Sequence, residues 1–599
     1  MIPMGEIVLR DGDAWIHFAN PQRVIVAEQL QDVLPALREI EDAVNTNGLC
    51  AAGFLSYESA PAFDEAHQTH ASSGFPLLWF GLYPQPRFIS LPEPASPKPA
   101  LTWSPTVDRA TYNSAIDSVR ARIAEGRTYQ VNYTMRLKTE FNADAWNFFL
   151  HLAQGQNNHA AYVDTGRFAI ASASPELFFQ LDGETVTCRP MKGTTRRGRT
   201  NAEDAKQAEW LKESEKNRAE NVMIVDMIRN DLGRIAKTGS VHAPELFAVE
   251  KYPTLWQMTS TVKAQTDASL TKIFSALFPC ASITGAPKVS TMRIISELET
   301  TPRKIYTGSI GYIAPNRKAK FNVAIRTALI DRETQTAEYG VGGGIVWDST
   351  SADEYEEALL KARVLTESPP QFSLLETMLW TPEDGFFLRD KHIARLLDSA
   401  EYFDFPISNK QRWSSSREAA YRDHSAASKY MEAKEIVENY LHQLTAEFTS
   451  PQRVRLLLDK QGNITAEHTP FQSADNPLRV RLADNPINSN DVFLFHKTTH
   501  RKMFDDAREN FPDYDDILLF NERGELTEFT IGNLVVELDG KFFTPPISCG
   551  LLAGTFREYL LETGKVEERF IHKDELKNCT EIYLINSVRK WQEVDFKFT

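Results

Sequence analysis

The chain has 599 residues, 42% of them hydrophobic and 25% charged, which is the composition of an ordinary globular protein. This length exceeds what one compact core holds, so we expect two large domains or several smaller ones. The net charge of −15 argues against a general nucleic-acid binder, and five scattered cysteines without a Cys-x-x-Cys pair argue against a disulfide framework or a zinc site.

The chain shows no sign of export or of membrane insertion. Its first residues lack a basic and then apolar signal, and no run of about 18 apolar residues occurs. The scattered cysteines suit a reducing compartment. We therefore predict a cytoplasmic protein with no membrane partner.

Two proline-rich stretches divide the chain. Residues 91–100 contain four prolines and predict an extended connector inside the first domain. Residues 367–371 follow a strongly helical segment and precede a strand-like run over 372–380. We predict a first domain at 1–366, a linker at 367–371 and a second domain at 372–599, with a surface helix or insertion at 414–434.

Helical and strand patterns alternate in both halves, which predicts a mixed α/β (α+β) fold with two domains. The main predicted elements are a core strand at 53–57, a helix at 111–126, strand pairs at 167–174 and 177–189, one or two helices at 201–236, and paired strands at 307–330.

Lys192 is a candidate nucleophile. It stands in Cys-Arg-Pro-Met-Lys-Gly-Thr-Thr-Arg-Arg-Gly, between a predicted strand and a Gly-Thr turn. Positive charge from Arg196 and Arg197 would disfavour the ammonium form and leave a fraction of free amine. A solvated lysine in a basic loop is the commoner meaning of such a residue alone.

Residues 353–361 predict a helix that places Glu354, Glu357 and Lys361 on one face. Two carboxylates on adjacent turns suit a hard cation such as Mg²⁺. A solvated face with an ion pair is the commoner meaning of this pattern.

Three further features carry candidate chemistry. An amphipathic helix presents Glu220 opposite its apolar side. The glycine cluster at 339–344 allows backbone N–H groups to approach an anion. Arg326, expected in a strand, can grip a carboxylate through two hydrogen bonds. Each feature is weak alone, because glycine turns usually only connect strands.

Two further strings are Ser-Ile-Thr-Gly-Ala-Pro-Lys at 282–288 and Tyr-Thr-Gly-Ser-Ile-Gly-Tyr at 306–312. At least six of these strings, in order over about residues 109–364, resemble the chorismate-binding domain of anthranilate, aminodeoxychorismate, isochorismate and salicylate synthases. The resemblance implies a two-sheet α/β sandwich and a Mg²⁺-dependent chorismate site. It implies Glu220, Glu354 and Glu357 at the metal, and Glu176 as the acid that protonates the departing C4 hydroxyl. The implied substrate contacts are Thr194, Thr284, Tyr306, Arg326, Gly342, Gly343 and Lys361.

Particular positions separate the members of that family. Gln130 stands where water-using members carry a lysine base, and Lys192 stands where aminodeoxychorismate synthases carry lysine and anthranilate synthases carry alanine. The resemblance implies that Lys192 attacks C2 of chorismate and that ammonia then attacks C4 and expels it. Met258 replaces a histidine common in anthranilate synthases, so the resemblance implies that the domain stops at the aminated intermediate, 4-amino-4-deoxychorismate. Asn217 stands where members usually carry an acidic residue, which leaves one possible electrostatic contact to the metal region absent.

The C-terminal half carries a second set of candidates. Lys497 follows the apolar run 492–495, which we expect to be a strand end, and a desolvated lysine can bond to an aldehyde. A surface lysine is the commoner meaning. Glu528 precedes a predicted strand and can pair with a pyridinium nitrogen. Thr555 opens a predicted helix whose first turn suits a phosphate, which Arg395 could also reach.

These strings resemble the fold-type IV pyridoxal-phosphate enzymes over about residues 374–594, a group that includes branched-chain and D-amino-acid aminotransferases and aminodeoxychorismate lyase. The resemblance implies that Lys497 binds pyridoxal 5′-phosphate and carries a proton, and that Glu528 contacts the ring nitrogen. The implied phosphate contacts are Arg395, Ile531, Gly532 and Thr555. Lyase and aminotransferase stay open from these motifs, and the resemblance admits a homodimer through this domain.

Together the resemblances predict a bifunctional enzyme that converts chorismate and ammonia into 4-aminobenzoate, a folate precursor. No Gly-x-Cys-x-Gly elbow of a glutamine amidotransferase occurs, so we expect a separate amidotransferase subunit to supply ammonia. The alternatives are an anthranilate synthase joined to a class IV aminotransferase, and a catalytic first domain joined to a non-catalytic scaffold.

Overall fold

The computed structural model describes residues 3–71, 74–154, 158–366, 370–407, 426–472 and 476–597. It divides into two units: the first comprises Met1–Arg196 and Ala208–Pro369, the second Arg197–Gln207 and Pro370–Thr599. Residues 367–369 of the predicted linker and 414–425 of the predicted insertion lie outside the described residues. Within those described ranges, no helix combines the length and apolar character that crossing a bilayer requires.

The α-helices of both units begin and end at defined residues. They are α1 Leu30–Asn47, α2 Arg109–Ala124, α3 Ala145–Ala153, α4 Asn201–Glu213, α5 Glu215–Gly233, α6 Leu270–Leu277, α7 Lys288–Leu298, α8 Ser351–Ala362, α9 Arg389–Phe403, α10 Ala426–Leu444, α11 Lys502–Glu509 and α12 Thr555–Glu562. Short 3-10 helices cover Tyr57–Ala62, Ala281–Ile283, Arg363–Leu365, Thr445–Glu447, Val492–Leu494, Ile547–Cys549 and Lys573–Asn578.

The first unit contains the strands β1 Ile7–Asp11, β2 Ala14–Phe18, β3 Arg23–Ala27, β4 Cys50–Leu55, β5 Leu78–Tyr83, β6 Arg87–Ile89, β7 Ser104–Pro105, β8 Gln130–Glu140, β9 Ala161–Asp164, β10 Phe168–Ser172, β11 Leu177–Asp182, β12 Thr185–Arg189, β13 Met191–Arg196, β14 His242–Lys251, β15 Leu255–Gln265, β16 Gly285–Ala286, β17 Ser309–Ala314, β18 Lys318–Val323, β19 Thr327–Asp331 and β20 Thr336–Ile345. They form one sheet in the order β16-β8-β20-β19-β10-β9-β1-β2-β6, with β7 beside β8, and a second in the order β13-β15-β12-β11-β18-β17-β4-β5-β3, with β14 beside β15.

Strand β4 shows why the two sheets stack with helices on their outer faces. Cys50, Ala52 and Phe54 contribute to a core that also contains residues from the other sheet, whereas Ala51 and Leu55 pack with helix α1. Because successive side chains of a strand point to opposite faces, a strand covered on both sides is apolar throughout. The predicted two-sheet α/β fold is confirmed in the first unit.

Local signals fixed several elements as predicted. Helix α2 begins and ends two residues before the predicted helix, and Asp108 at its N-terminus accepts a hydrogen bond from the Thr111 amide at 2.7 Å. The region at 201–236 forms two helices, because Ser214 interrupts it and caps α5 by accepting from the Asn217 amide at 3.4 Å.

Arg326 does not lie in a strand, contrary to the prediction. It stands between β18 and β19, where the chain leaves one sheet for the other, and its φ is 51°. Its carbonyl accepts from the Ala173 amide at 2.9 Å. The change of sheet within a few residues requires a sharp turn, which the extended conformation of a strand cannot make.

The second unit contains β21 Leu374–Thr381, β22 Gly385–Phe386, β23 Gln452–Leu458, β24 Ile464–Pro470, β25 Leu478–Leu482, β26 Asp516–Phe520, β27 Leu526–Phe529, β28 Asn533–Leu538, β29 Lys541–Thr544, β30 Glu567–Glu568, β31 Glu581–Asn586 and β32 Lys590–Phe596. One sheet has the order β22-β21-β23-β24, and the other has the order β27-β26-β25-β32-β31-β28-β29-β30. The short segment Arg197–Gln207 belongs to this unit, in which the Tyr402 hydroxyl donates to the Gly198 carbonyl at 2.6 Å.

The run before Lys497 is a 3-10 helix, so the predicted strand end is wrong. Asp491 caps Val492–Leu494 by accepting from the Phe493 amide at 3.0 Å. A side chain that bonds to its own backbone offers the chain an alternative to a sheet ladder.

A buried ionic network ties the end of α7 to strand β8. Glu299 accepts from Arg303 Nη2 at 2.6 Å, from Thr134 Oγ1 at 2.7 Å and from Arg136 Nη2 at 3.2 Å. Burial alone would raise the pKa of Glu299, but the two arginines outweigh it and the pKa is lowered. The Arg136 guanidinium also lies 5.1 Å from the ring centre of Tyr306, so the network supports that ring from behind.

We expect Glu299→Ala to destabilise the first unit by about 3–5 kcal/mol, because it leaves two buried guanidinium groups without their carboxylate. The matched control is Glu297→Ala, which removes an ion pair of a half-exposed carboxylate with Arg122 and should cost at most about 1 kcal/mol. Calorimetric melting of both variants measures the difference. Equal melting temperatures would show that the network contributes nothing special.

Candidate functional site

The predicted residues of the first unit meet near the ends of its two sheets. Strands β8 and β20 lie side by side in one sheet, β13 forms the end of the other, and helices α5 and α8 carry the acidic residues. Strands β13 and β20 approach each other closely. Lys192 Nζ on β13 lies 2.8 Å from the position that a Cβ on Gly344 of β20 would occupy. The two sheets therefore contribute to one site.

Lys192 faces a carboxylate. Its Nζ lies 3.5 Å from Glu220 Oε2, and both side chains are about one-fifth exposed. Its carbonyl accepts from Asn221 Nδ2 at 3.2 Å, so helix α5 holds both ends of the residue. Arg197, from which we expected repulsion, pairs with Asp204 at 2.7 Å. The charge beside the amine is thus opposite to the one that the sequence neighbours suggested.

Three glycines leave β20 without side chains at the site. A Cβ on Gly343 would lie 2.8 Å from Glu354 Oε2, and one on Gly344 would lie 2.5 Å from Gln130 Nε2 as well as close to Lys192. Both glycines pair with β8 in a regular ladder. The glycines therefore make room for functional side chains to approach the strand.

The predicted acidic face of α8 exists. Lys361 Nζ lies 2.8 Å from Glu357 Oε1 and donates to the Gly342 carbonyl at 2.9 Å. Glu354 accepts from Ser349 Oγ at 2.6 Å. Burial and the neighbouring Glu357 raise the pKa of Glu354, whereas Lys361 outweighs burial and lowers the pKa of Glu357. The two carboxyls thus have different proton affinities.

The donor chemistry of this site suits a hard cation, since Glu220, Glu354 and Glu357 offer only oxygen ligands. In the part of the chain that the structure describes, no three acidic, histidine or cysteine side chains stand close enough together to hold a metal ion. The nearest cations to the carboxylates are the side chains of Lys192 and Lys361.

Glu176 is a buried acid beside the amine. It lies between β10 and β11, is 4% exposed, and accepts from Ser282 Oγ at 2.6 Å. Burial raises its pKa to about 7, although Ser282, the Met191 amide and the charge of Lys192 act to lower it. It can therefore hold or release a proton near neutral pH. Ser282 was not among the site residues predicted from the sequence.

The predicted substrate contacts differ in how accessible they are. The Tyr306 ring packs against Gly340, and the Arg326 guanidinium has no hydrogen-bond or ion-pair partner among the described residues. Thr194 is exposed on β13. Thr284 is fully buried, and its hydroxyl donates to the Cys280 and Ala281 carbonyls in the same turn. Arg326 is thus ready to bind an anion, whereas the Thr284 hydroxyl is already engaged.

Gln130 contributes a buried amide to the site. It is completely buried at the start of β8, and within the described residues neither its Nε2 nor its Oε1 has a hydrogen-bond partner. Buried amides are nearly always paired, so an unpaired amide calls for an explanation. It lies beside the Cβ position of Gly344 that Lys192 also approaches.

The second unit gathers its predicted residues around Lys497. The Lys497 carbonyl accepts from the Leu375 amide at 2.9 Å, which places the residue beside β21. Burial, with help from the charge of Arg395, lowers the pKa of the amine to about 8. A lysine of this kind has a substantial fraction of free amine near neutral pH.

Glu528 lies within β27 and is 4% exposed. It accepts from the Leu552 amide at 3.1 Å and from Asn533 Nδ2 at 3.3 Å. Burial raises its pKa to about 8, while Lys497, Arg501 and Arg395 act in the opposite direction. An additional positive charge beside the carboxyl would therefore lower its pKa.

The remaining candidates surround the start of α12. Thr555 begins this helix, as predicted, after Gly554 at its cap. Arg395 on α9 donates to the Ala553 carbonyl at 3.0 Å. Ile531 and Gly532 form the turn between β27 and β28, and their backbone N–H groups have no acceptor among the described residues. These groups could hold a phosphate.

Family comparisons agree with both halves of the description. A model of chorismate binding enzymes matches residues 5–367, and a model of amino-transferase class IV matches residues 373–595. Aminodeoxychorismate synthase of Streptomyces griseus is 40% identical over 281 residues, which cover 46% of this chain and 39% of that protein. Aminodeoxychorismate synthase component 1 of Salmonella typhimurium is 41% identical over 263 residues, 43% of this chain and 57% of that protein.

Among solved structures, anthranilate synthase component I from Streptococcus pneumoniae superposes with a TM-score of 0.53 at 25% identity, covering 61% of this chain and 93% of that one. The matched segments of this chain cover 39% of the Streptomyces protein and 57% of the Salmonella protein, so the chain spans only part of the length of these curated relatives.

Glu176→Gln should change how stability depends on pH. The folded pKa of about 7 lies above the ordinary value of 4.5, so the unfolded chain releases this proton first as pH rises. Relative to the variant, the wild type should lose roughly 3 kcal/mol of stability between pH 4.5 and 7, and no more above that range. Calorimetric melting across pH 4–8 measures it, with the exposed Glu184→Gln as control. Parallel curves for wild type and Glu176→Gln would contradict the prediction.

Proposed function

Because the chain belongs to the family of chorismate-binding enzymes, we propose that its first unit aminates chorismate to 4-amino-4-deoxychorismate. The observation that carries this proposal is the position of the Lys192 amine close to Gly344 of β20, together with Glu176, a buried acid whose pKa the charge of Lys192 acts to lower. The relatives named aminodeoxychorismate synthase support the choice of product.

The reaction uses Lys192 as a covalent nucleophile. Its free amine forms a bond to C2 of chorismate while the C4–O bond breaks and the ring double bond shifts. Glu176 donates its proton to the departing hydroxyl, which leaves as water. Ammonia then forms a bond to C4, and the bond between C2 and Lys192 breaks. Arg326, whose guanidinium has no hydrogen-bond or ion-pair partner among the described residues, and the Tyr306 ring would orient the substrate. Gly342, Gly343 and Lys361 would contact it.

Mg²⁺, when bound, would neutralise the ring carboxylate of the substrate in an otherwise acidic site. Glu220 and Glu357 would hold it, with Glu354 nearby. Glu220 lies on α5, where it pairs with Lys192. Glu354 and Glu357 lie on α8, and Glu354 is close to Gly343. Lys192 and Lys361 now neutralise Glu220 and Glu357.

Ammonia would reach C4 next to Gln130. The buried amide has one donor group and one acceptor group free, which suits a small polar molecule and cannot activate water as a base. A separate glutamine amidotransferase subunit would supply the ammonia. The name "component 1" of several relatives supports a second component.

The second unit would convert this product to 4-aminobenzoate, for folate synthesis in the cytoplasm. Pyridoxal 5′-phosphate, when bound, supplies a ring that takes up the electron pair left by the C4 proton. Lys497 would bind the cofactor aldehyde and remove that proton, for which its lowered pKa of about 8 suits it. Glu528 would ionise beside the ring nitrogen and keep it protonated. Pyruvate then leaves from C3, and the ring becomes aromatic.

We expect Lys192→Ala to lower 4-aminobenzoate formation from chorismate, Mg²⁺ and ammonium by about a thousandfold or more, because the covalent step is lost. Supplied 4-amino-4-deoxychorismate should still be converted at the wild-type rate. Chromatography of the aromatic product measures both reactions, and the exposed Lys237→Ala is the control. Recovery of 2-aminobenzoate from the wild type would instead support an anthranilate synthase.

Lys497→Ala should have the complementary effect. The variant should lose the visible absorbance of the bound cofactor and the release of pyruvate, yet it should consume chorismate and accumulate 4-amino-4-deoxychorismate. Lys502→Ala, a mostly exposed lysine paired with Asp506, is the control. A wild type without this absorbance would favour a non-catalytic scaffold.

A further inference from the structure

A buried carboxylate joins the two side chains that would hold the cofactor phosphate. Glu376 on β21 is 2% exposed and accepts from Arg395 Nε at 2.9 Å and from Nη2 at 2.6 Å. The same carboxylate bonds His392 Nδ1 at 2.7 Å, and His392 Nε2 lies 3.2 Å from Thr555 Oγ1. One residue therefore constrains both Arg395 and Thr555.

The bonds to Glu376 leave part of the Arg395 guanidinium available. Arginine carries five N–H groups. Two of them donate to Glu376 and a third donates to the Ala553 carbonyl. One N–H on each of the two terminal nitrogens remains, which is the pair that a phosphate can accept in a forked arrangement. The bidentate grip of Glu376 fixes the plane of that fork.

The histidine passes the constraint on to α12. Burial alone would raise the pKa of Glu376, but Arg395 and His392 hold it at about 2, so the group is a carboxylate. His392 is 1% exposed, and burial lowers its pKa despite Glu376, with Arg395 and Lys497 acting in the same direction. A neutral ring donates from Nδ1 to Glu376 and accepts at Nε2, so it fixes the rotamer of Thr555.

We propose that Glu376 is a positioning residue for a phosphate monoester, holding Arg395 directly and Thr555 through His392. The inference rests on the proposed cofactor of the second unit and deepens it. Neither Glu376 nor His392 would touch the phosphate. Their effect is to fix the direction of the donors before the ligand arrives, which reduces the entropy lost on binding.

The test compares two ligands that differ only in the phosphate. Full-length protein freed of cofactor is titrated with pyridoxal 5′-phosphate and with pyridoxal, and the absorbance change gives each Kd. Glu376→Gln should weaken pyridoxal 5′-phosphate binding about ten- to a hundredfold, because a buried charge-assisted hydrogen-bond network is lost. Pyridoxal binding should stay within about twofold of the wild type.

The control is Glu558→Gln, the same substitution at an exposed ion pair with Lys391 that also joins α9 and α12. It should leave both affinities unchanged. His392→Asn is the second variant, since it keeps a donor toward Glu376 and loses the contact with Thr555. It should weaken only pyridoxal 5′-phosphate binding, and it decides the matter if Glu376→Gln does not fold.

Three results separate the proposals. If Glu376→Gln weakens both ligands equally, the residue supports the pocket in general and the inference is overturned. The inference also fails if both variants keep wild-type affinity for pyridoxal 5′-phosphate. If the wild type itself binds neither ligand, the proposed function of the second unit fails and the positioning role fails with it.

Discussion

The first unit depends on a close approach of polar side chains to the backbone at Gly343 and Gly344, two residues without side chains. Glu354, Gln130 and Lys192 come from three different elements, and each lies within 3 Å of a position that a Cβ would occupy. A Cβ on either glycine would displace the ends of these side chains, which carry the chemistry. The absence of side chains on this stretch of β20 lets groups from β8, β13 and α8 approach the same strand.

The two candidate lysines lie in different electrostatic environments. Lys497 is desolvated among cations, which lowers its pKa to about 8. Lys192 is paired with Glu220, whose carboxylate lies 3.5 Å away. Each amine has a buried carboxyl nearby whose pKa burial raises, to about 7 for Glu176 and to about 8 for Glu528. Burial thus gives both sites an acid that changes charge near neutral pH.

Behind each site, a second buried carboxylate keeps its proton affinity low by gripping arginine. Glu299 binds Arg303 and Arg136 beneath Tyr306, and Glu376 binds Arg395 beside Lys497. A carboxylate with such partners stays ionised and holds a guanidinium in one orientation. Buried carboxylates that pair with arginine therefore position other groups. Buried carboxyls without an arginine partner, such as Glu176 and Glu528, can exchange protons.

Patterns in the sequence were enough to predict the mixed α/β class, the shared face of Glu354, Glu357 and Lys361, and the helix that starts at Thr555. These follow from spacing and capping within one element, which are local properties of the chain. The sequence also carries the family resemblances from which most of the candidate site residues were predicted. It could not show that Ser282 binds Glu176, or that Glu376 links Arg395 to His392.

Which of these faces meet depends on how the elements pack in the folded chain. Arg197 and Arg196 are near Lys192 in sequence, yet the charge beside the amine belongs to Glu220 on another helix. Arg326 was expected in a strand and lies instead where the chain changes sheets. Spacing along a chain fixes the direction of side chains within an element, whereas contacts between elements depend on the packing of residues that are far apart in sequence.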